Sequence, residues 1–181
     1  MSGIGVKRDP KTAAVWYKKA VKRGNGRAEY NLAVAYEKGV GVSKNLEEAA
    51  RLYRLSADRG FFWPKYNLGR LYELGHGVKK SYEDAAYWYS IASNFGYDKA
   101  QFSLARLFEN GRGVIRNLYI AEDLYARAAD QKHEQASIHL KSLKSKLAEY
   151  ENSLAPPIRV SGIVKRLDQV ADVKGLNLGL S

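Results

Sequence analysis

A four-residue motif, Gly-x-Gly-Val, recurs along this chain at one fixed spacing, and nothing else in the sequence restricts the fold so strongly. It reads Gly3-Ile-Gly5-Val6, Gly39-Val-Gly41-Val42, Gly75-His-Gly77-Val78 and Gly111-Arg-Gly113-Val114, each copy 36 residues after the last. A period of about 20 to 50 residues marks stacked-repeat architecture, because one supersecondary unit cannot bury its apolar face alone and must be tiled. In such a stack the core is a strip that lengthens with every unit. Stacked repeats usually bind rather than catalyse.

Aligned at this period, each column makes a physical statement. Asp9, Asn45, Ser81 and Asn117 share one position, and all four side chains can accept a bond from the orphan amides at a helix start. Pro10 suits the first helical position, and Glu48 and Asp84 lie three residues beyond their caps in an approximate capping box. The helix that follows, helix B of the repeat, carries Ala13, Ala49, Ala85 and Ala121 in one column and Tyr17, Tyr53, Tyr89 and Tyr125 four residues on. Ala20, Ser56, Ala92 and Ala128 make a third column, so small and large residues at i, i+4 and i+7 draw one buried stripe. Gly24, Gly60 and Gly96 then end helix B in the left-handed conformation, and Lys132 breaks that column in the last copy.

Helix A comes next. It has Ala28, Pro64, Ala100 and Ala136 near its start, and Leu32, Leu68, Leu104 and Leu140 one turn later. Ala33, Gly69 and Ala105 allow a neighbouring helix to approach closely, with Tyr36, Tyr72 and Phe108 beside them. The Gly-x-Gly-Val motif is the turn from A to B. Its first Gly ends helix A in the left-handed conformation, and its Val enters the seam between the helices. A phosphate-binding loop is the competing reading of these glycines. It is disfavoured because no Lys-Ser/Thr pair follows and no strand precedes.

The pattern Ala-x-Tyr-Asn-Leu-Ala/Gly-x-x-Tyr-Glu-x-Gly-x-Gly-Val, followed by Ala-x-x-(Trp/Leu)-Tyr-x-x-(Ala/Ser), resembles the Sel-one-like repeats, relatives of the tetratricopeptide repeats with a 36-residue unit. The resemblance covers residues 3 to about 144. It implies an all-α, right-handed α-solenoid of antiparallel helix pairs that acts as an adaptor or scaffold in signalling, protein quality control, or bacterial envelope and host-interaction systems. With no Cys in the chain, the cysteine pairs that staple some secreted members are absent.

The period divides the chain into a partial first repeat (1–27, turn plus helix B), three helix pairs (28–60, 61–96 and 97–132), a C-terminal capping helix (133–152) and a tail (153–181) that is mobile or docks elsewhere. Position 147 is Leu where the period calls for Gly. Ala136, Leu140, Leu143, Leu147 and Tyr150 continue one stripe, so the last helix A should run to about residue 152, before Pro156 and Pro157. The first helix B, with Ala13, Trp16, Tyr17 and Ala20, has no helix A before it. It is expected to be covered by an upstream extension, by a second copy of the chain in self-association, or by the tail.

Net charge is +11, and residues 1–30 contribute +6 of it through Lys7, Arg8, Lys11, Lys18, Lys19, Lys22, Arg23 and Arg27 against Asp9 and Glu29. Such a cluster suits a solvated helix face, nucleic acid, anionic lipid or an acidic partner. No run of about 18 apolar residues and no secretory leader is present, so the sequence as written reads as cytoplasmic, or as periplasmic or secreted if an upstream signal precedes it. Thiol chemistry is excluded by the absence of Cys. No Ser is followed by Lys at i+3, there is no Gly-x-Ser-x-Gly elbow, and His76, His133 and His139 lack metal-site spacing. The reading is therefore of a non-enzyme without cofactor or metal.

The functional surface expected from the sequence is the side of helix A that the core does not use. At 100° per residue, Arg27, Tyr30, Asn31, Val34 and Lys38 fall in one stripe, followed by Trp63, Tyr66, Asn67, Arg70 and Leu74, then Lys99, Phe102, Ser103, Arg106 and Asn110. By the resemblance to tetratricopeptide arrays this stripe lines a concave groove. Rings supply buried area to a peptide, Asn pairs with its backbone, and Arg holds its carboxylates. The alternative for Tyr30, Tyr66 and Phe102 is packing shared by every repeat. The alternative partner is nucleic acid or an anionic membrane bound through the N-terminal basic cluster, where Trp16 and Tyr17 interleave with Lys18 and Lys19.

Overall fold

The computed structural model describes residues 9–153. The first Gly-x-Gly-Val copy, Lys7, Arg8 and residues 154–181 of the tail lie outside the described residues. The described residues form eight helices and no strand: α1 (Pro10–Val21), α2 (Gly26–Lys38), α3 (Leu46–Asp58), α4 (Trp63–Leu74), α5 (Tyr82–Asn94), α6 (Asp98–Asn110), α7 (Leu118–Asp130) and α8 (Glu134–Ser153). Helix B of the repeat corresponds to α1, α3, α5 and α7, and helix A to α2, α4, α6 and α8. From α1 to α7, each helix packs on the next. α8 runs for 20 residues, and Tyr150, at the end of its expected apolar stripe, is 59% exposed.

All four expected N-caps form. Asp9, Asn45 and Ser81 accept from the amides of Lys11, Glu48 and Asp84 at 2.9, 3.0 and 3.0 Å, and Asn117 accepts from both Tyr119 and Ile120 at 3.1 Å. The columns facing inward are buried as the period demands: Ala49, Ala85 and Ala121, Tyr53, Tyr89 and Tyr125, Ser56, Ala92 and Ala128, and Leu32, Leu68 and Leu104. Their equivalents in α1 are only half-buried, and Trp16 is 62% exposed while Tyr17 packs against the core.

The second glycine of the turn has a reason that the periodicity did not suggest. Gly41, Gly77 and Gly113 all have positive φ, and a Cβ on any of them would fall 2.1 to 2.2 Å from the backbone at Pro10, Leu46 or Tyr82, at the start of the preceding helix B. Backbone meets backbone there. The turn after one helix A is thereby docked onto the N-terminus of the helix B before it, which locks consecutive units in register. Lys132 differs from the expectation that it breaks its column: it keeps the left-handed conformation of Gly24, Gly60 and Gly96, with φ of 66°.

Candidate functional site

The candidate site is a face of α2, α4 and α6. Tyr30, Tyr66 and Phe102 each lean on the core tyrosine of the following helix B, with centroids 5.8, 5.7 and 5.7 Å from Tyr53, Tyr89 and Tyr125. Packing therefore accounts for one side of each ring. All three stay half-exposed on the other.

Around them the aromatic surface extends further than the stripe predicted. Trp63 is 43% exposed and lies 6.3 Å from Tyr30, 6.0 Å from Phe61 and 4.6 Å from Phe62. Phe62 reaches Phe95 and Tyr97, and Tyr97 meets Tyr66 edge-on at 5.1 Å. Burial, with the Asp98 carboxylate adding to it, pushes the Tyr97 hydroxyl up to about 12, so it stays a neutral donor at any ordinary pH. Phe61, Phe62, Phe95 and Tyr97 were missed because they lie in the B-to-A connection, and a reading confined to helix periodicity does not see it. The unbroken run Phe61-Phe62-Trp63 was the available signal. Four of the predicted residues, Arg27, Tyr30, Asn31 and Trp63, join Phe61 around one open depression.

The predicted arginines meet partners within the chain. Arg70 is paired with Glu37, and Arg106 lies 3.7 Å from Glu73. The same carboxylates take the core tyrosines: Tyr53 donates to Glu37, Tyr89 to Glu73 and Tyr125 to Glu109, each at 2.7 Å. At Glu37, burial pushes the carboxyl up, yet the hydrogen bonds from Arg70 and Tyr53 outweigh it and its pKa lies below the ordinary value. Each Tyr–Glu–Arg triad joins a helix A, its helix B and the next helix A. In the last triad His139 replaces Arg, 3.7 Å from Glu109 and 3.3 Å from the Tyr125 hydroxyl. Glu37, Glu73 and Glu109 occupy one column, so the repeat alignment already held the signal for them.

The remaining predicted residues keep their polar groups available. Asn31 and Asn67, one repeat apart, are half-buried and have no side-chain hydrogen-bond partner among the described residues. Arg27 and Lys99 are exposed and have no ion-pair partner among them. His133 stacks on Phe102 at 4.7 Å and caps α8 by accepting from the Ala136 amide at 3.2 Å. Among the described residues no group of three or more His, Asp or Glu could hold a metal ion, and no helix is long and apolar enough to cross a membrane.

Tiled helix pairs with a shared aromatic and amide face define a helical-repeat solenoid. The chain belongs to the Sel1 repeat family, whose model matches residues 1–25, 26–61, 65–96 and 98–133. Among solved structures it is similar to a protective antigen of uropathogenic Escherichia coli with the same repeat fold, at 34% identity and a TM-score of 0.76 over 79% of this chain and 31% of that one. It is also similar to a Sel1 repeat protein from Oxalobacter formigenes, at 33% identity and a TM-score of 0.71 over 76% of this chain and 57% of that one. A third is the cysteine-rich protein B of Helicobacter pylori, at 25% identity and a TM-score of 0.55 over 68% of this chain and 94% of that one. The chain thus spans about a third of the first relative's length and somewhat over half of the second's. No curated protein matches the sequence. Sel1-repeat proteins are in general scaffolds for protein interaction rather than catalysts.

Proposed function

We propose that this chain is a non-catalytic adaptor that binds a protein or peptide in extended form along the exposed face of α2, α4 and α6. The observation that carries the reading is the pair Asn31 and Asn67. Each is an amide with both donor and acceptor, repeated at the repeat spacing, unpaired among the described residues, and bordered by half-exposed rings. A backbone lying across the repeats can bond to successive amides, while Tyr30, Trp63 and Tyr66 cover its side chains. Arg70 and Arg106 act chiefly as braces in their triads, and a partner carboxylate would share them with Glu37 and Glu73. Phe102 and Lys99 extend the face by one more repeat.

The test uses a peptide selected from a displayed random library against the full chain. Asn31→Ala combined with Asn67→Ala should weaken its binding at least tenfold and leave the helical circular dichroism signal unchanged. Unchanged affinity would move the binding surface off helix A.

A second reading has one observation in its favour. Exposed Trp16 carries Lys19 Nζ 4.7 Å above its ring, a cation and ring displayed together on α1 as single-stranded nucleic acid or an anionic membrane surface would need. Binding that falls steeply with salt and is abolished by Trp16→Ala would favour it.

A further inference from the structure

The helix A face is chemically uneven, and its first row says what kind of peptide it takes. Arg27, Trp63 and Lys99 occupy equivalent repeat positions at the starts of α2, α4 and α6. Cations are disfavoured there, because the unsatisfied amides of a helix N-terminus already present partial positive charge. Both are exposed and unpaired among the described residues, and the acid nearest Arg27 in the chain is engaged elsewhere. Glu29, 1% exposed, receives Arg59 Nε at 3.1 and 2.9 Å. Asp98 adjoins the row, beside Lys99 at the start of α6. Between the two cations lies the exposed ring of Trp63, bordering the open depression formed with Arg27, Tyr30, Asn31 and Phe61.

Resting on the binding face proposed above, we infer that this row recognises an acidic peptide: a large apolar or aromatic side chain enters the depression between Tyr30, Phe61 and Trp63, and Asp or Glu residues on either side of it meet Arg27 and Lys99. A carboxylate at Arg27 gains the paired donors of the guanidinium. The aromatic wall supplies the buried area that exposed ion pairs lack. A basic peptide of the same shape would bring like charge to both ends of the row, so the site selects by charge as well as by shape.

The test is fluorescence anisotropy of labelled twelve-residue peptides on the full chain. One has a central Trp flanked by Asp, Glu and Ser. A second has Lys for every acid, and a third has Ala for the Trp. The acidic Trp peptide should bind at least tenfold more tightly than either of the others. Arg27→Glu, Arg27→Met and Trp63→Ala should each weaken it at least tenfold, whereas Lys79→Glu, which alters an exposed turn, should change it less than twofold. Circular dichroism identifies any variant that unfolds, and the Met variant serves if the Glu variant does. An equal loss from Lys79→Glu and Arg27→Glu would mean non-specific attraction to a basic protein and would overturn the inference. Asn31- and Asn67-dependent binding of a display-selected neutral peptide, with no binding of the acidic one, would overturn it while leaving the binding face in place. No binding by any peptide would remove both.

Discussion

Glu37 on α2 accepts the Tyr53 hydroxyl of α3 at 2.7 Å, and the same bond at the same length repeats 36 and 72 residues further along, at Glu73 with Tyr89 and Glu109 with Tyr125. A fully buried ring in each case carries its hydroxyl to the edge of the core, where a half-buried carboxylate receives it. The next helix A closes the bracket through Arg70 or Arg106. Three helices thus share one polar joint per repeat. This is the local device that carries order from one unit to the next.

Removing only the bond should cost little beside removing the ring. Tyr89→Phe is expected to lose about 1 to 2 kcal/mol and Tyr89→Ala about 3 to 5 kcal/mol in urea unfolding. Similar losses for the two variants would mean that the ring is not the principal term.

The carboxylate in this joint also gives stability a pH dependence. Glu37 has a folded pKa below its ordinary value of 4.5, so its contribution is complete above that value and is lost as pH falls through the folded pKa. The stability advantage of the natural chain over Glu37→Gln should therefore be constant near neutrality and shrink below pH 4.5. An advantage that held steady down to pH 2 would show that the charge is not what matters.

The two kinds of turn glycine should separate cleanly. Gly60 has φ of 93° with open space where a Cβ would sit, whereas Gly77 has φ of 71° and a Cβ there would fall 2.2 Å from Leu46 backbone atoms. Gly60→Ala meets only the left-handed penalty of about 1 to 2 kcal/mol. Gly77→Ala adds a backbone clash that no rotamer relieves, and should cost at least about 3 kcal/mol. Equal urea midpoints would remove the docked turn as a determinant of register.

How much of this could be read in advance depends on where each signal lies. Asp9, Asn45, Ser81 and Asn117 could be named as caps from sequence because capping is a local matter of one side chain and a nearby amide. The core columns could be named because burial follows helical period. Partnership across units is another matter. Arg70 looked like a groove cation because its position on helix A faces away from the core, and only the spatial approach of α2 shows that Glu37 neutralises it. Phe61 and Phe62 sit outside any helical stripe, so their part in the aromatic surface depends on the path of a connection, which periodicity does not encode.

Lys132 offers a stabilising substitution. It is held at φ of 66° in the column where Gly24, Gly60 and Gly96 adopt the same conformation. An L side chain there costs about 1 to 2 kcal/mol, part of which glycine returns through its greater freedom in the unfolded chain. Lys132→Gly should therefore raise stability by about 0.5 to 1 kcal/mol. A lower thermal midpoint would mean that the Lys side chain contributes more than its backbone strain costs.

One further pair has two unequal halves. Glu29 is 1% exposed, whereas the Arg59 side chain that serves it is 44% exposed and covers Gly24 and Gly26. Taking away the acid leaves a guanidinium that can turn to water. Taking away the guanidinium leaves a carboxylate enclosed without a counter-charge, which is the costlier outcome for a buried ion pair. Arg59→Gln should lower the urea midpoint more than Glu29→Gln. If Glu29→Gln proved the more damaging of the two, the pair would matter through the packing of Glu29 rather than through the burial of its charge.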